Sequence, residues 1–385
     1  MDLIRIESDA DGPEAVSQLL RKKVRQSLPY LLVLTLVGLG VLFWATCTRE
    51  TLAAVGDIKV GFLALAAALQ VGDIAIGGWR NHILVRRLKP GVTPWLCLRA
   101  QVANEFACAV TPGQSGGGLA WLYILYRGGI APELAVSVSV LVFLSTLICF
   151  MALAAGSFFG FGDQLSALGT GPLARPLFLS LQYSFVVCSG LFLLALLSLF
   201  MPVRMSHGVA RMGQILARFD GRWCHALARA AERLAVGIRR YRTSCVMFLQ
   251  QYRMSVVKMF LLTVLYYAGK LNLAYLVLLS LGVQADYVSA LALLALLRLI
   301  LYFSPTPGGS GIGDISIAAL TSAIMPMSLV PVYTVLYRAF HLYLPASIGA
   351  LVLFAALKRP GPPGEKGADS AHPVAEIGPH REHSV

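Results

Sequence analysis

The sequence predicts an all-α polytopic membrane protein, with about six full spans plus two broken helical hairpins related as an inverted pseudo-repeat. Three observations carry that prediction. The 385 residues are 57% hydrophobic and only 13% charged, and mean hydropathy is +0.71, more apolar surface than a water-soluble domain of this length hides. The apolar residues gather into runs of the roughly 20 residues that a span requires. Two further apolar regions are interrupted midway by closely similar segments, TPGQSGGG at 111–118 and TPGGSGIG at 306–313.

The first element is a segment, residues 1–27, that begins acidic and ends in the basic cluster Arg21, Lys22, Lys23 and Arg25. The apolar run behind it, near 29–47, has no small-residue cleavage site, so it reads as a retained signal anchor with the N-terminus cytoplasmic. The next runs lie near 61–79, 132–158, 177–201, 253–281 and 328–357. Lys/Arg bias alternates their faces. Residues 48–60 and 159–176 are poor in basic residues and read as external. Arg80, Arg86, Arg87, Lys89 and Arg99 read as a cytoplasmic loop, and so does the Arg-rich stretch 203–250. In that stretch Leu227, Ala230, Leu234 and Ile238 share one helical face, which suits an amphipathic cytoplasmic helix lying on anionic lipid. Residues 28–357 form the transmembrane domain, and 358–385, polar and rich in Pro and Gly, read as a disordered cytoplasmic tail.

This alternation closes only if the interrupted regions, 95–127 and 286–325, each return to the face they left. Either a re-entrant hairpin or two short spans satisfies that condition. The first opens from the cytoplasm and the second from outside, so they are inverted. Their central segments agree at six of eight positions: Thr111/Thr306, Pro112/Pro307, Gly113/Gly308, Ser115/Ser310, Gly116/Gly311 and Gly118/Gly313. Proline ends a helix and glycine admits a left-handed turn. Broken backbone at membrane depth survives only when buried in protein or facing a wet cavity. The helix that restarts behind each break presents free N–H groups suited to an anion. Thr111, Pro112, Gly113, Ser115, Gly116, Thr306, Pro307, Gly308, Gly309, Ser310 and Gly311 are therefore substrate-site candidates.

Charges within apolar runs are costly and mark functional sites. They are Asp73, Glu105, Arg127, Lys270, Arg298, Asp314, Arg338 and His341. Arg298 and Asp314 are candidates for substrate contact or for an ion pair with each other. Lys270 and Arg338 suit phosphate, with pairing to Asp73 or to backbone carbonyls as the alternative. Glu105 is a candidate for carrying a coupling proton or for pairing with Arg127. Tyr123, Tyr266, Tyr267 and Tyr302 either line a polar cavity or pack. The seven dispersed cysteines form no CxxC pair, and neither disulfide, metal nor cofactor is expected. The net charge of +13 follows the loop pattern of a membrane protein, so nucleic acid is not an expected partner.

PTPGGSGIGD at 305–314, with TPGQSGGGLAWLY at 111–123, resembles the family built like the flippase half of lysylphosphatidylglycerol synthase. The resemblance covers roughly 28–357 and places Asp314 where relatives carry an acid. Relatives often carry Glu at the position of Gly118 and Arg at that of Trp121, and both charges are missing here. It implies translocation of an anionic phospholipid or a polyprenyl-phosphate-linked intermediate across the cytoplasmic membrane. Synthase activity would belong to a separate aminoacyl-transferase domain, which this chain is expected to lack. A non-transporting accessory subunit working with lipid- or glycan-synthesis enzymes is one alternative. A membrane transferase using Glu105 and Asp314 as paired acids is another. No GxxxxGK[ST] phosphate loop is present, so transport is expected to be downhill, ion-coupled or coupled to a consuming enzyme.

Overall fold

A computed structural model of the chain describes residues 55–168, 174–199, 203–216 and 222–358, with isolated positions before them. The segment 1–27 and the run near 29–47 lie, apart from those positions, outside the described residues, and so does the tail beyond Lys358.

Every regular element among the described residues is helical. In chain order they are α1 (Val60–Leu88), α2 (Pro94–Val110), α3 (Gly117–Arg127), α4 (Pro132–Leu168), α5 (Ala174–Leu199) and α6 (Val203–Leu216). Then come α7 (Arg222–Gln250), α8 (Arg253–Ser280), α9 (Tyr287–Phe303), α10 (Ile312–Thr321), α11 (Val330–Arg338) and α12 (Leu344–Lys358). Five stretches are long and apolar enough to cross a membrane: Val60–Leu88, Pro132–Ser157, Leu177–Leu199, Arg253–Ser280 and Met327–Lys358. They match five of the six expected runs.

One expectation needs correcting. The apolar run ending near residue 79 does not end its helix. Nothing between Trp79 and Leu88 breaks a helix, and α1 continues until Lys89, Pro90 and Gly91 stop it. Arg80 is thus a buried helical residue, 6% exposed, and not a loop charge.

The two interrupted regions fold as α2–α3 and α9–α10, with a short 3₁₀ turn at each break (Pro112–Gln114 and Pro307–Gly309). The turns are conformational copies. Thr111 and Thr306 are both extended, Gly113 and Gly308 both left-handed (φ 56° and 59°), and so are Gln114 and Gly309 (φ 55° and 67°). They part at the next residue. Ser115 is already helical (ψ −19°), whereas Ser310 is extended (ψ 142°) and Gly311 turns at φ 79° before α10 starts.

Helices in lipid associate through close packing more than through hydrophobic burial, and glycines provide it here. A Cβ on Gly117 would lie 2.1 Å from Cys108 Sγ, one on Gly349 2.0 Å from the Val102 carbonyl, and one on Gly269 2.0 Å from Asp73 Oδ1. These contacts draw α3 onto α2, α12 onto α2 and α8 onto α1. One apolar cluster joins α2, α3, α4 and α12, and a second joins α8, α9, α10 and α11. Between them sits an aromatic group containing Phe150, Tyr267, Tyr302 and Phe303.

The α6 and α7 helices pack on each other, and α7 also packs on α4 and α8, with Phe248 in the first apolar cluster. The inward residues of α7 are Ala228, Ala235, Cys245 and Phe248. Ile238 is half-buried, and the side chains of Leu227, Ala230 and Leu234 lie outside the described ones. Arg240 reaches Glu133 at the start of α4 (2.7 Å), and Tyr241 shares a hydrogen bond with Ser198 of α5.

Candidate functional site

The two breaks pack against each other, and α2 and α9 each touch the break of the opposite hairpin. Gln114 fixes the junction: its Nε2 donates to the Tyr302 carbonyl at the end of α9 (2.8 Å). Beside the junction lies a cavity of about 480 Å³.

Its polar wall comes from five helices and the two breaks. Arg80 and Asn81 come from α1, Gln101, Asn104 and Glu105 from α2, and Tyr266, Tyr267 and Lys270 from α8. Arg298 and Tyr302 come from α9, Tyr337 and Arg338 from the end of α11, and His341 from the turn beyond it. The breaks contribute Gly113, Gln114, Gly118, Thr306, Gly308 and Gly309. Val142 and Phe143 of α4, with Tyr183, Val187 and Leu191 of α5, add a largely apolar part of the lining.

The cations are arranged around Tyr266. The Arg80 guanidinium sits 4.5 Å from its ring centroid and Lys270 Nζ 5.2 Å, both within cation–π range. Lys270 Nζ donates to Gln70 Oε1 (3.1 Å). Arg80 Nε and Nη1 and Arg298 Nε are buried without a hydrogen-bond partner, and buried donors of this kind await an acceptor. Arg298 Nη1 contacts the His341 ring, which stacks on Tyr337 (5.2 Å).

The charged side of the cavity contains one carboxylate, Glu105. Its Oε1 accepts from Gln101 Nε2 (3.0 Å) and from the Tyr266 hydroxyl (3.1 Å), and Gln101 Oε1 in turn accepts from Asn81 (3.0 Å). This chain holds Glu105 in place. It does not pair with Arg127, which donates to the Tyr123 hydroxyl and the Ala356 carbonyl.

Asp314 and Arg298 do not form the pair considered from sequence. Asp314 Oδ1 lies 2.7 Å from Arg338 Nε, with both side chains 3% exposed. Its other oxygen accepts from Gly311 N (3.0 Å), closing the N-terminus of α10. Arg338 also donates to the carbonyls of Gly308 (3.3 Å) and Gly309 (3.1 Å). Asp314 therefore serves as an internal anion at the second break and does not line the cavity. At the first break Leu119 stands in the corresponding place, and Thr111 Oγ1 takes the Gly116 N–H instead (2.8 Å).

Of the residues expected from sequence, Glu105, Gly113, Lys270, Arg298, Thr306, Gly308, Gly309 and Arg338 line the cavity. Thr111, Pro112, Ser115, Gly116, Pro307, Ser310, Gly311 and Asp314 shape the turns around it. Tyr266, Tyr267 and Tyr302 take the lining role, and Tyr123 does not. Sequence reasoning missed Arg80, Asn81, Gln101, Asn104 and Gln114. Continuing α1 past its apolar run would have found Arg80. Gln101, Asn104 and Glu105 follow a helical i, i+3, i+4 pattern on one face of α2.

A turn of π-helix at Ala339–Tyr343 separates α11 from α12 and carries His341. Pro345 follows; it has no N–H to offer the preceding turn, and a widened turn accommodates its ring.

The family model of the lysylphosphatidylglycerol synthase transmembrane region matches residues 30–349. The chain is also similar to a UPF0104 membrane protein of Archaeoglobus fulgidus, 19% identical over 321 residues, which cover 81% of this chain and 92% of that relative.

Proposed function

The chain belongs to the family of the lysylphosphatidylglycerol synthase transmembrane region, and we propose that it translocates a phosphate-bearing lipid or lipid-linked intermediate across the cytoplasmic membrane. The observation that carries this reading is the charge imbalance of the cavity. Arg338 is neutralised by Asp314, which leaves Arg80, Lys270 and Arg298 facing one carboxylate, Glu105. Unsatisfied guanidinium N–H groups in a buried site suit the oxygens of a phosphate. The apolar wall of α4 and α5 suits the lipid tails.

Helix lengths support the re-entrant form of the hairpins. At 1.5 Å per residue α3 and α10 reach only about 15–17 Å, against about 30 Å of hydrocarbon. Lys89, which precedes α2, donates to the carbonyls of Gly128 and Gly129, which follow α3 (3.2 and 3.1 Å). The first hairpin thus starts and ends together. We place both termini in the cytoplasm on the Lys/Arg distribution. The paired-acid transferase reading loses support, because Asp314 is engaged by Arg338 and Gly311.

The test is exchange of labelled lipid in proteoliposomes, run in parallel with phosphatidylglycerol and a polyprenyl phosphate. Wild type is expected to exchange one of the two. Arg298→Gln and Arg80→Gln should each slow exchange by about tenfold or more, the equivalent of one charged hydrogen bond. Asp314→Asn is the poorer control, since it breaks a buried pair. Folded wild type inactive on both lipids would shift the assignment to an accessory role.

A further inference from the structure

Asp73 lies on α1, completely buried, and neither carboxylate oxygen has a hydrogen-bond partner. It faces α8 at the one residue, Gly269, that leaves it room. An ionised carboxylate with no donor at membrane depth is strongly disfavoured. Either a proton or a cation must attend it.

Both are within reach. Lys270 follows Gly269, and its ammonium binds Gln70, one turn before Asp73 on the same side of α1. That ammonium has three donors and also lines the cavity. The other charges acting on Asp73 are Glu105 from α2 and Arg298 from α9. Arg80 lies two turns further along α1, and the turn carrying His341 also packs on α1. The remaining neighbour, α4, has no charged residue between Glu133 and Asp163. Glu105 already accepts from two donors; Asp73 accepts from none.

We propose that Asp73 carries a proton with the lipid: it binds a proton when Lys270 turns to the anionic head group, and releases it when the head group leaves and Lys270 turns back. This rests on the translocation reading. The proton comes from cavity water and returns to water on the other face, and no other bond changes. A singly charged head group and its proton cross as a neutral unit. The lipid is therefore driven by a pH difference and is indifferent to membrane potential.

The experiment uses phosphatidylcholine vesicles containing the full chain and a trace of fluorescent lipid, phosphatidylglycerol or a polyprenyl phosphate, whichever the wild type exchanges. Without a gradient, exchange reads translocation alone. Wild type and Asp73→Asn are both expected to exchange. With a difference of one pH unit, wild type should enrich the lipid in the alkaline leaflet, towards a limiting ratio of about 10 for one proton per lipid. Asp73→Asn should stay near an even distribution, like protein-free vesicles. A pH dye trapped in wild-type vesicles should record acidification as lipid moves inward down its own gradient, a readout that needs no variant. Wild-type distribution unmoved by the gradient, no acidification, or enrichment retained in Asp73→Asn would each overturn the assignment. Absence of gradient-free exchange of either lipid in folded wild type would remove translocation itself, and this inference with it.

Discussion

Gln114 holds a left-handed backbone, φ 55°, that a side chain ordinarily avoids at a cost of about 1–2 kcal/mol. Its partner in the other hairpin is Gly309, which has no such cost. The side chain is what compensates, through the bond to the Tyr302 carbonyl, and the two effects are of similar size. Gln114→Gly, which relieves the backbone and loses the bond, is expected to be near neutral in thermal unfolding. Gln114→Ala loses the bond and keeps the strain, so it should unfold at lower temperature; an alanine variant as stable as wild type would discount the bond. Asp314 is a different case. Breaking a buried ion pair costs about 3–5 kcal/mol because the remaining charge is stranded. Asp314→Asn should therefore destabilise strongly, and adding Arg338→Gln should recover part of the loss. A double variant no better than the single one would mean that Asp314 acts mainly through the α10 cap.

At the scale of elements, the two breaks were legible because Pro-Gly chemistry is local. TPG dictates an extended residue followed by a left-handed turn, and both copies adopt it. Their divergence after the serine was not legible, since it depends on where an anion sits. Asp314 lies three residues inside α10 and caps it, whereas the first hairpin has Leu119 there and borrows the Thr111 hydroxyl. The cavity was half legible for the same reason. Lone charges inside apolar runs, such as Lys270 and Arg298, are visible in sequence. Arg80 sits where an apolar run gives way to a basic one, and only the continuation of α1 separates it from loop arginines. The α6–α7 pair shows the same limit: amphipathicity was evident, but which residues turn inward depends on α4 and α5. Burial of Cys245 on α7 pushes its thiol up to about 11, from an ordinary value of 9.0. In a variant with Cys245 as its sole cysteine, alkylation should be slow at pH 8 and still rising at pH 10, where an ordinary thiol has levelled off. A plateau already reached by pH 10 would mean that α7 stands away from the membrane helices.

The whole molecule sets two hairpins break to break, each touching the turn of the other, with long helices around them. For the proposed translocation, such an arrangement would admit a head group from either side only if the hairpins open to opposite faces. Thr93, just before α2, and Gln284, just before α9, are both exposed, and under the proposed translocation they would mark the two openings. Three features argue that they lie on opposite sides of the membrane. The turn before α2 carries Lys89, flanked by Arg86 and Arg87 at the end of α1 and Arg99 in α2, and the loop before α9 has neither Lys nor Arg, which is the charge asymmetry that orients spans. The α8 helix, 28 residues long, crosses from the basic stretch at its start to that poor loop at its end. The α1 start is tied to the same end, Lys59 N donating to the Ser280 carbonyl (2.8 Å), while the α1 finish leads into Thr93. In a cysteine-free background, Thr93→Cys and Gln284→Cys are expected to react with a membrane-impermeant maleimide from opposite sides, Gln284→Cys in intact cells and Thr93→Cys only in inverted vesicles. Labelling of both from one side would sink the inverted arrangement and require a path that does not pass between the breaks. Opposite labelling would leave the cation-lined cavity as the point where the two openings meet.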